Sequence, residues 1–312
     1  MNDVLVVKDL QVHFLLENMV VKAVDGVNFH VNKNETLALI GESGSGKSTL
    51  GRILLLLIKP TSGKVFFDRL DLTGMKGKEL RKIRQKMQLI PQHPEDALDP
   101  RWRLYNSIAE PLRIHKLVEN KEEEENKVFE LTELVGLKDE HLSRHPHEMS
   151  GGELQRVVIA RALSLNTKFI VCDEPTSMLD VSVQASIINL LLDLQHKFGL
   201  AYLFITHDLE LANAVSSRIA VMYCGQIVEE GVKILDDPLH PYTKMLVKSL
   251  ETAISNINFD AIKFKAKKLD KQVGLNQKGC KFYHLCPNRT NKCLNPPKIV
   301  KIDDRSLRCW VY

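Results

Sequence analysis

The stretch Leu37-Ala-Leu-Ile-Gly-Glu-Ser-Gly-Ser-Gly-Lys-Ser-Thr49 decides how the chain is read. Its first four residues form a continuous apolar run, the pattern of a strand covered on both faces in a largely parallel sheet. Gly41 to Ser48 then fit G-x-x-x-x-G-K-S/T, and a helical stretch from Ser48 to Leu57 follows. Strand, glycine loop and helix in that order make a phosphate cradle. The glycines let backbone N–H groups turn inward onto phosphate oxygens, and the helix N-terminus adds its partial positive charge. Gly41, Ser43, Gly44, Ser45, Gly46 and Thr49 are the expected cradle. Lys47 is expected to reach the β- and γ-phosphates of ATP, and Ser48 carries a hydroxyl suited to Mg2+.

Working outward, two more apolar runs end in polar residues. Phe169-Ile-Val-Cys172 delivers Asp173 and Glu174, and Ala201-Tyr-Leu-Phe-Ile205 delivers Thr206-His207-Asp208. Strands of this kind place their polar ends at the carboxyl edge of an open α/β sheet, where ligands bind. Asp173 is expected beside Mg2+, with Glu174 placed to polarise the water that attacks the γ-phosphorus in line. Read alone, His207 is a strand-end histidine. Between Gln92 and about Leu165 the pattern turns helical, around Arg101 to Lys116 and Glu122 to Leu134, the latter opening in an acidic run that suits the positive end of a helix dipole. Ser182 to Lys197 is apolar enough to pack against the sheet. These alternations predict an α/β body over residues 1–235 with a helical part at about 92–165, and an extension over 236–312.

The composition, 44% hydrophobic and 26% charged over 312 residues, excludes a disordered or fibrous chain. The longest apolar run, Ile53 to Ile58, falls far short of a membrane span, and the N-terminus lacks the pattern of a secretory signal, so a cytoplasmic protein is expected. The net charge of +4 is uneven: residues 260–312 carry 13 Lys and Arg against four Asp. A basic tail on a mildly acidic body suits nucleic acid, anionic lipid or an acidic partner face alike, and equally a solvated surface.

Ser150-Gly-Gly-Glu-Leu-Gln155, running into a helix from Arg156 to Leu163, is a second glycine pair at a helix N-terminus. One nucleotide does not need two such loops, so the second is expected to bind the phosphate of a nucleotide held by another copy, in a head-to-tail pair.

These motifs closely resemble the ATP-binding subunits of ABC transporters, specifically the dipeptide, oligopeptide and nickel importer group, over nearly the whole chain. The resemblance implies a P-loop ABC ATPase fold with a β-rich N-terminal part. It makes Ser150, Gly151, Gly152 and Gln155 the signature loop, with Met149 in place of leucine and Glu153-Leu154 departing from the commonest form. It assigns Gln92 to the loop that couples the metal site to the membrane partner, Ser177-Met-Leu-Asp180 to the dimer contact, and His207 to the γ-phosphate switch. Phe14 takes the position of the ring that stacks on adenine; as a plain sequence position it equally suits a strand core. Two permease subunits, a second ATPase subunit and an extracytoplasmic solute-binding protein are implied, with the chain on the cytoplasmic face of the membrane. A soluble ABC ATPase acting on nucleic acid or ribosomes, not a transporter, is the competing class; it is disfavoured because such proteins usually carry two cassettes in one chain or a long coiled-coil insertion, and neither is read here.

Six cysteines divide by context. Cys172 and Cys224 lie in apolar runs and are expected as small buried hydrophobes. Cys280, Cys286, Cys293 and Cys309 follow no paired zinc or ferredoxin spacing. The run Gly279-Cys-Lys-Phe-Tyr-His-Leu-Cys-Pro287 nevertheless resembles the C-terminal extension of peptide-importer ATPases, some of which hold an iron–sulfur cluster there. A 4Fe–4S cluster, zinc and four unliganded thiols stand open.

Overall fold

The computed structural model describes residues 3–16, 19–253 and 278–312. The basic stretch from Lys263 to Lys271 lies outside them. The chain opens with β1 (Asp3–Leu16), β2 (Met19–Asn32), β3 (Thr36–Ile40), α1 (Lys47–Leu54), β4 (Ser62–Phe67) and β5 (Leu70–Asp71). It continues through α2 (Gly77–Arg84), β6 (Met87–Ile90), α3 (Leu104–Ile114), α4 (Lys121–Leu134), α5 (Gly151–Leu163) and β7 (Phe169–Asp173). Then come α6 (Val181–Phe198), β8 (Ala201–Thr206), α7 (Leu209–Val215), β9 (Arg218–Tyr223) and β10 (Gln226–Gly231). The chain closes with α8 (Pro241–Ala253), β11 (Ile299–Ile302) and β12 (Arg305–Arg308).

Two compact units result, each assembled from separate stretches of chain. The first gathers Met1–Val4, Val31–Glu35 and Gly74–Phe204. In it β6 and β7 pair in parallel, from Met87 opposite Phe169 to Ile90 opposite Cys172. All five residues of β7 are buried, as an uninterrupted apolar run requires when both sheet faces are covered. The helical part packs α3 and α4 onto α5, which in turn meets α6. Their buried faces carry Ile108, Leu112, Val128, Leu131 and Val158. Arg113 holds the buried Glu124 through two 2.6 Å contacts, and the Tyr105 hydroxyl donates to the same carboxylate at 2.9 Å. The acidic start of α4 is capped by Asn120, whose side chain accepts from Glu123 N.

The second unit gathers Leu5–His30, Thr36–Thr73 and Ile205–Tyr312. Strands β2-β1-β4-β5 form one antiparallel sheet, and β11-β12-β10-β9-β3 form a run in another. There β3 and β9 are parallel, Leu37 facing Arg218 and Ile40 facing Val221, while β9 and β10 make a hairpin. The extension does not simply trail from this body. Its β12 adds antiparallel to β10, pairing Glu229 with Leu307, and β11 adds outside it. One apolar core joins Ala38, Ile40, Val221 and Tyr223 of the sheet and Leu209 of α7 to Tyr242, Phe282 and Cys286 of the extension.

Two helices are shorter than the sequence pattern predicts. After Leu54 the chain folds back, with Leu56 in the left-handed region and Leu57 N bonded to Arg52 O. Before Leu104, Arg101 is tied to the Asp99 carboxylate rather than to a helical turn. Among the described residues no helix is long and apolar enough to cross a membrane.

Candidate nucleotide site

In the second unit, the loop between β3 and α1 is shaped by what lies behind it. A Cβ on Gly41 would sit 2.2 Å from Met222 O, and one on Gly46, where φ is +107°, would sit 2.2 Å from Ala23 O. Only glycine lets the loop lie so close to these carbonyls. Gly44 instead faces open space, with nothing within 4 Å of a Cβ there. No side chain caps α1. Lys47 is buried, and its ammonium donates to Gly41 O at 2.7 Å and Glu42 O at 3.0 Å, spanning the loop. The Ser45 hydroxyl is buried with no hydrogen-bond partner among the described residues. An amide-lined concavity with a buried ammonium and an unsatisfied hydroxyl fits a polyphosphate. Ser43 and Ser48 are exposed and Thr49 is half-buried. Phe14 lies on β1 with 37% of its surface exposed, so the strand-core alternative for this ring is set aside. His207 is exposed just past β8, and Asp208 beside it caps α7 by accepting from Leu211 N.

The first unit brings together a different set. Asp173 ends β7 in a buried position, and Glu174 follows with φ of +47°, a left-handed conformation that costs a non-glycine residue about 1–3 kcal/mol. Such strain is kept where the surroundings demand one side-chain direction. Here Gln92 Nε2 donates to Glu174 Oε2 at 3.1 Å and to Ser177 Oγ at 3.3 Å, and Ser177 Oγ donates to Glu174 O at 3.2 Å. Ser177 as a brace was not singled out from sequence; its place three residues after Glu174, at a turn, is the signal. Asp180 caps α6 by accepting from Val183 N, leaving Met178 and Val181 exposed at 64% and 84%.

Ser150 is the cap of α5 in a reciprocal capping box: Ser150 Oγ accepts from Glu153 N, and Glu153 Oε2 accepts from Ser150 N at 2.9 Å. Gly151 is exposed; Gly152 is crowded, with Val183 Cγ1 2.4 Å from where a Cβ would lie. Gln155 is only 1% exposed, so it packs beneath the loop rather than presenting its amide outward.

The cysteines are placed differently from the sequence reading in one respect and plainly in the others. Cys172 is fully buried, but Cys224 is only half-buried and occupies the β9–β10 turn with φ of +45°. Burial pushes the Cys280 thiol up to about 11 and raises those of Cys286 and Cys309, which keeps them neutral. Among the described residues no group of three or more His, Cys, Asp or Glu is placed to hold a metal ion. The cluster and zinc readings of the four cysteines therefore gain no support from this arrangement.

Residues 24–177 match the family model for the ABC transporter, and residues 228–293 match that for the oligopeptide/dipeptide transporter C-terminal region. The chain is 48% identical over 247 residues to the oligopeptide transport ATP-binding protein OppF of Bacillus subtilis, covering 78% of this chain and 81% of that one. It is 47% identical over 233 residues to the dipeptide transport ATP-binding protein DppF of Lactococcus lactis, covering 73% and 75%. Among solved structures it is similar to the dimeric ATP-binding cassette MJ0796 bound to ADP and Pi, at 30% identity and a TM-score of 0.68 over 73% of this chain and 98% of that one. A phosphate loop whose glycines and buried lysine fit a triphosphate, in a chain with these relatives, leads to one conclusion: the chain belongs to the ATP-binding subunits of ABC transporters, in the oligopeptide and dipeptide group, and is an ATPase.

Proposed function

We propose that this subunit powers import of peptides through a membrane permease, hydrolysing ATP at sites shared head to tail between two ATPase subunits. The observation that carries the reading is the match of residues 228–293 to the oligopeptide/dipeptide C-terminal region, since the cassette alone is common to many transporters. In this reading residues 1–235 form the cassette and 236–312 the extension. Two permease subunits supply the path, a solute-binding protein outside delivers cargo, and the chain sits on the cytoplasmic face.

Lys47 and the amides of Gly41 to Thr49 grip the phosphates, and Phe14 stacks on adenine. Ser48, Asp173 and Gln92 are oxygen donors of the kind Mg2+ takes, few enough to leave it several waters. Bound there, Mg2+ would neutralise charge on the β- and γ-phosphates. Glu174, oriented by Gln92 and by its own strained backbone, takes a proton from the attacking water, while His207 contacts the γ-phosphate. Ser150, Gly151 and Gly152 meet the nucleotide of the facing subunit, and Asp180 lies at the contact between the two. Moving such a pair from mostly open to mostly closed takes about 5.5 kcal/mol of differential affinity, within reach of a few charge-assisted contacts of about 1.5–3 kcal/mol each.

Co-purification tests the reading. Recovery with two membrane permeases supports it, and nucleic-acid-stimulated hydrolysis with no membrane partner overturns it. Nickel is the competing cargo within the group. Uptake of labelled peptides, lost in a deletion strain that still takes up nickel, is the expected result.

A further inference from the structure

The phosphate loop rests on the turn between β9 and β10, where Gly225 N donates to Ser45 O at 2.8 Å and Met222 O backs Gly41. That turn is held from its other side by the cysteine-bearing segment. Lys281 Nζ donates to Cys224 O at 2.6 Å and pairs with Asp25 Oδ2 at 2.8 Å. Asp25 in turn donates its N–H to Gly225 O at 2.8 Å and accepts from Gln226 Nε2 at 3.1 Å. Lys281 is only 12% exposed, so this ammonium is placed for internal contacts rather than for solvent.

The next residue reaches the loop by a second route. Phe282 packs edge-on against Tyr242 at 5.5 Å and Tyr223 at 5.4 Å between ring centres. Tyr242 is fully buried, and its hydroxyl accepts the N–H of Glu42 at 3.2 Å. Glu42 is the second residue of the phosphate loop, and its carbonyl is one of the two that receive the Lys47 ammonium. Tyr242 is itself fixed from behind: Glu229 accepts the N–H groups of Leu239 and His240 at 2.9 Å, and His240 Nδ1 accepts that of Tyr242 at 3.0 Å. The segment is pinned at its start, where Cys280 N donates to Cys293 O.

Two adjacent residues, Lys281 and Phe282, thus press on the loop from two directions. We propose that Tyr242, set by Phe282 of the cysteine-bearing segment, is a positioning residue for nucleotide binding: it fixes Glu42, and through Glu42 the placement of Lys47. The proposal rests on the ATPase reading and adds that the extension sets the affinity of the phosphate site.

The test uses the full-length chain, titrated with the fluorescent analogue mant-ATP and assayed for steady-state hydrolysis. Tyr242→Phe removes one hydroxyl from a ring that otherwise stays packed. The Kd and KM are expected to rise about fivefold, the loss of one neutral hydrogen bond. The kcat stays within about twofold, and the nucleotide-free Tm within about 2 °C. An unchanged Kd overturns the proposal, as does a loss confined to Tm or kcat. Phe282→Leu, which also serves if Tyr242→Phe fails to fold, is expected to weaken mant-ATP binding in the same direction. The double variant should fall short of the product of the two effects, because both act through one chain of contacts. Independent, multiplying losses would overturn the link to the cysteine segment. Wild-type protein that binds no mant-ATP at all would instead refute the ATPase reading, and the proposal with it.

Discussion

The molecule carries two glycine loops at helix N-termini, and they are furnished in opposite ways. At α1 the cap position is Gly46, no side chain closes the helix, and a buried Lys47 supplies the positive charge. At α5 a side chain closes the helix: Ser150 Oγ accepts from Glu153 N, and the Glu153 carboxylate folds back onto the Ser150 N–H and hydroxyl. In one case no side chain closes the helix start, and in the other a reciprocal capping box does. The first loop is built to hold a phosphate by itself. In the proposed head-to-tail pair the second would meet one presented by the partner, against the opposing charge of Glu153.

The sharpest test of that division is Glu174→Gln. If hydrolysis is what releases the second loop, this variant keeps ATP binding, loses turnover by about 10²–10⁴-fold, and accumulates an ATP-bound dimer visible by size-exclusion chromatography. Turnover at the wild-type rate would remove Glu174 as the base. Ser150→Phe separates the loops directly. Because the first loop binds alone, mant-ATP affinity should be unchanged while turnover falls by about 10²-fold, the scale of misplacing a transition-state contact. Equal loss of binding and turnover would erase the distinction between holder and closer.

A smaller effect distinguishes the glycines. In Gly46→Ala the new Cβ meets a backbone carbonyl at 2.2 Å in a left-handed conformation, and neither can yield cheaply. Gly152→Ala meets a Val183 methyl rather than a backbone carbonyl, and a small shift of that side chain relieves it although its χ1 is stiff in a helix. Denaturant unfolding should show Gly46→Ala losing about 2–3 kcal/mol and Gly152→Ala losing about 1 kcal/mol. The reverse order would mean that the second loop, not the first, is the rigid one.

The first loop was legible in the sequence because its chemistry is local: apolar strand, spaced glycines, lysine and helix are contiguous from Leu37 to Leu54. The strands that end in Asp173 and lead into His207 were legible for the same reason, as uninterrupted buried runs. What the sequence concealed is long-range. The extension joins the sheet through two four-residue strands, Ile-Val-Lys-Ile and Arg-Ser-Leu-Arg, too short and too charged for a periodic signal. The Tyr242 contact with Glu42 spans 200 residues, and no local pattern encodes it. The family resemblance places Gln155 in the signature loop, yet its position on the inner face of α5 buries it. The capping box at Ser150 and Glu153 was present as S-x-x-E, but the glycine pair inside it drew the reading toward a ligand.

The smallest effect probes the resident anion itself. Hydrogen bonds from the Ser150 N–H, then from the Ser150 hydroxyl, hold the Glu153 carboxyl below its ordinary range, with His141 and Arg144 adding to the effect. A carboxyl whose folded value is depressed contributes stability above its unfolded value of about 4.3, and that contribution disappears as the pH falls through the folded value. Glu153→Gln keeps an acceptor for Ser150 and removes the charge. With Glu153 about a third exposed, solvent screening leaves the capping interaction as the main loss, about 0.5 kcal/mol at pH 7. Urea unfolding at pH 7 and pH 4 should show this gap closing at the lower pH, as the wild-type carboxyl begins to protonate. The same variant, freed of its negative charge, should close its ATP-bound dimer at lower protein concentration than the Glu174→Gln parent when the two substitutions are combined. A dimer no tighter than that parent would mean that Glu153 does not face the incoming phosphate, and that the two loops differ in capping alone.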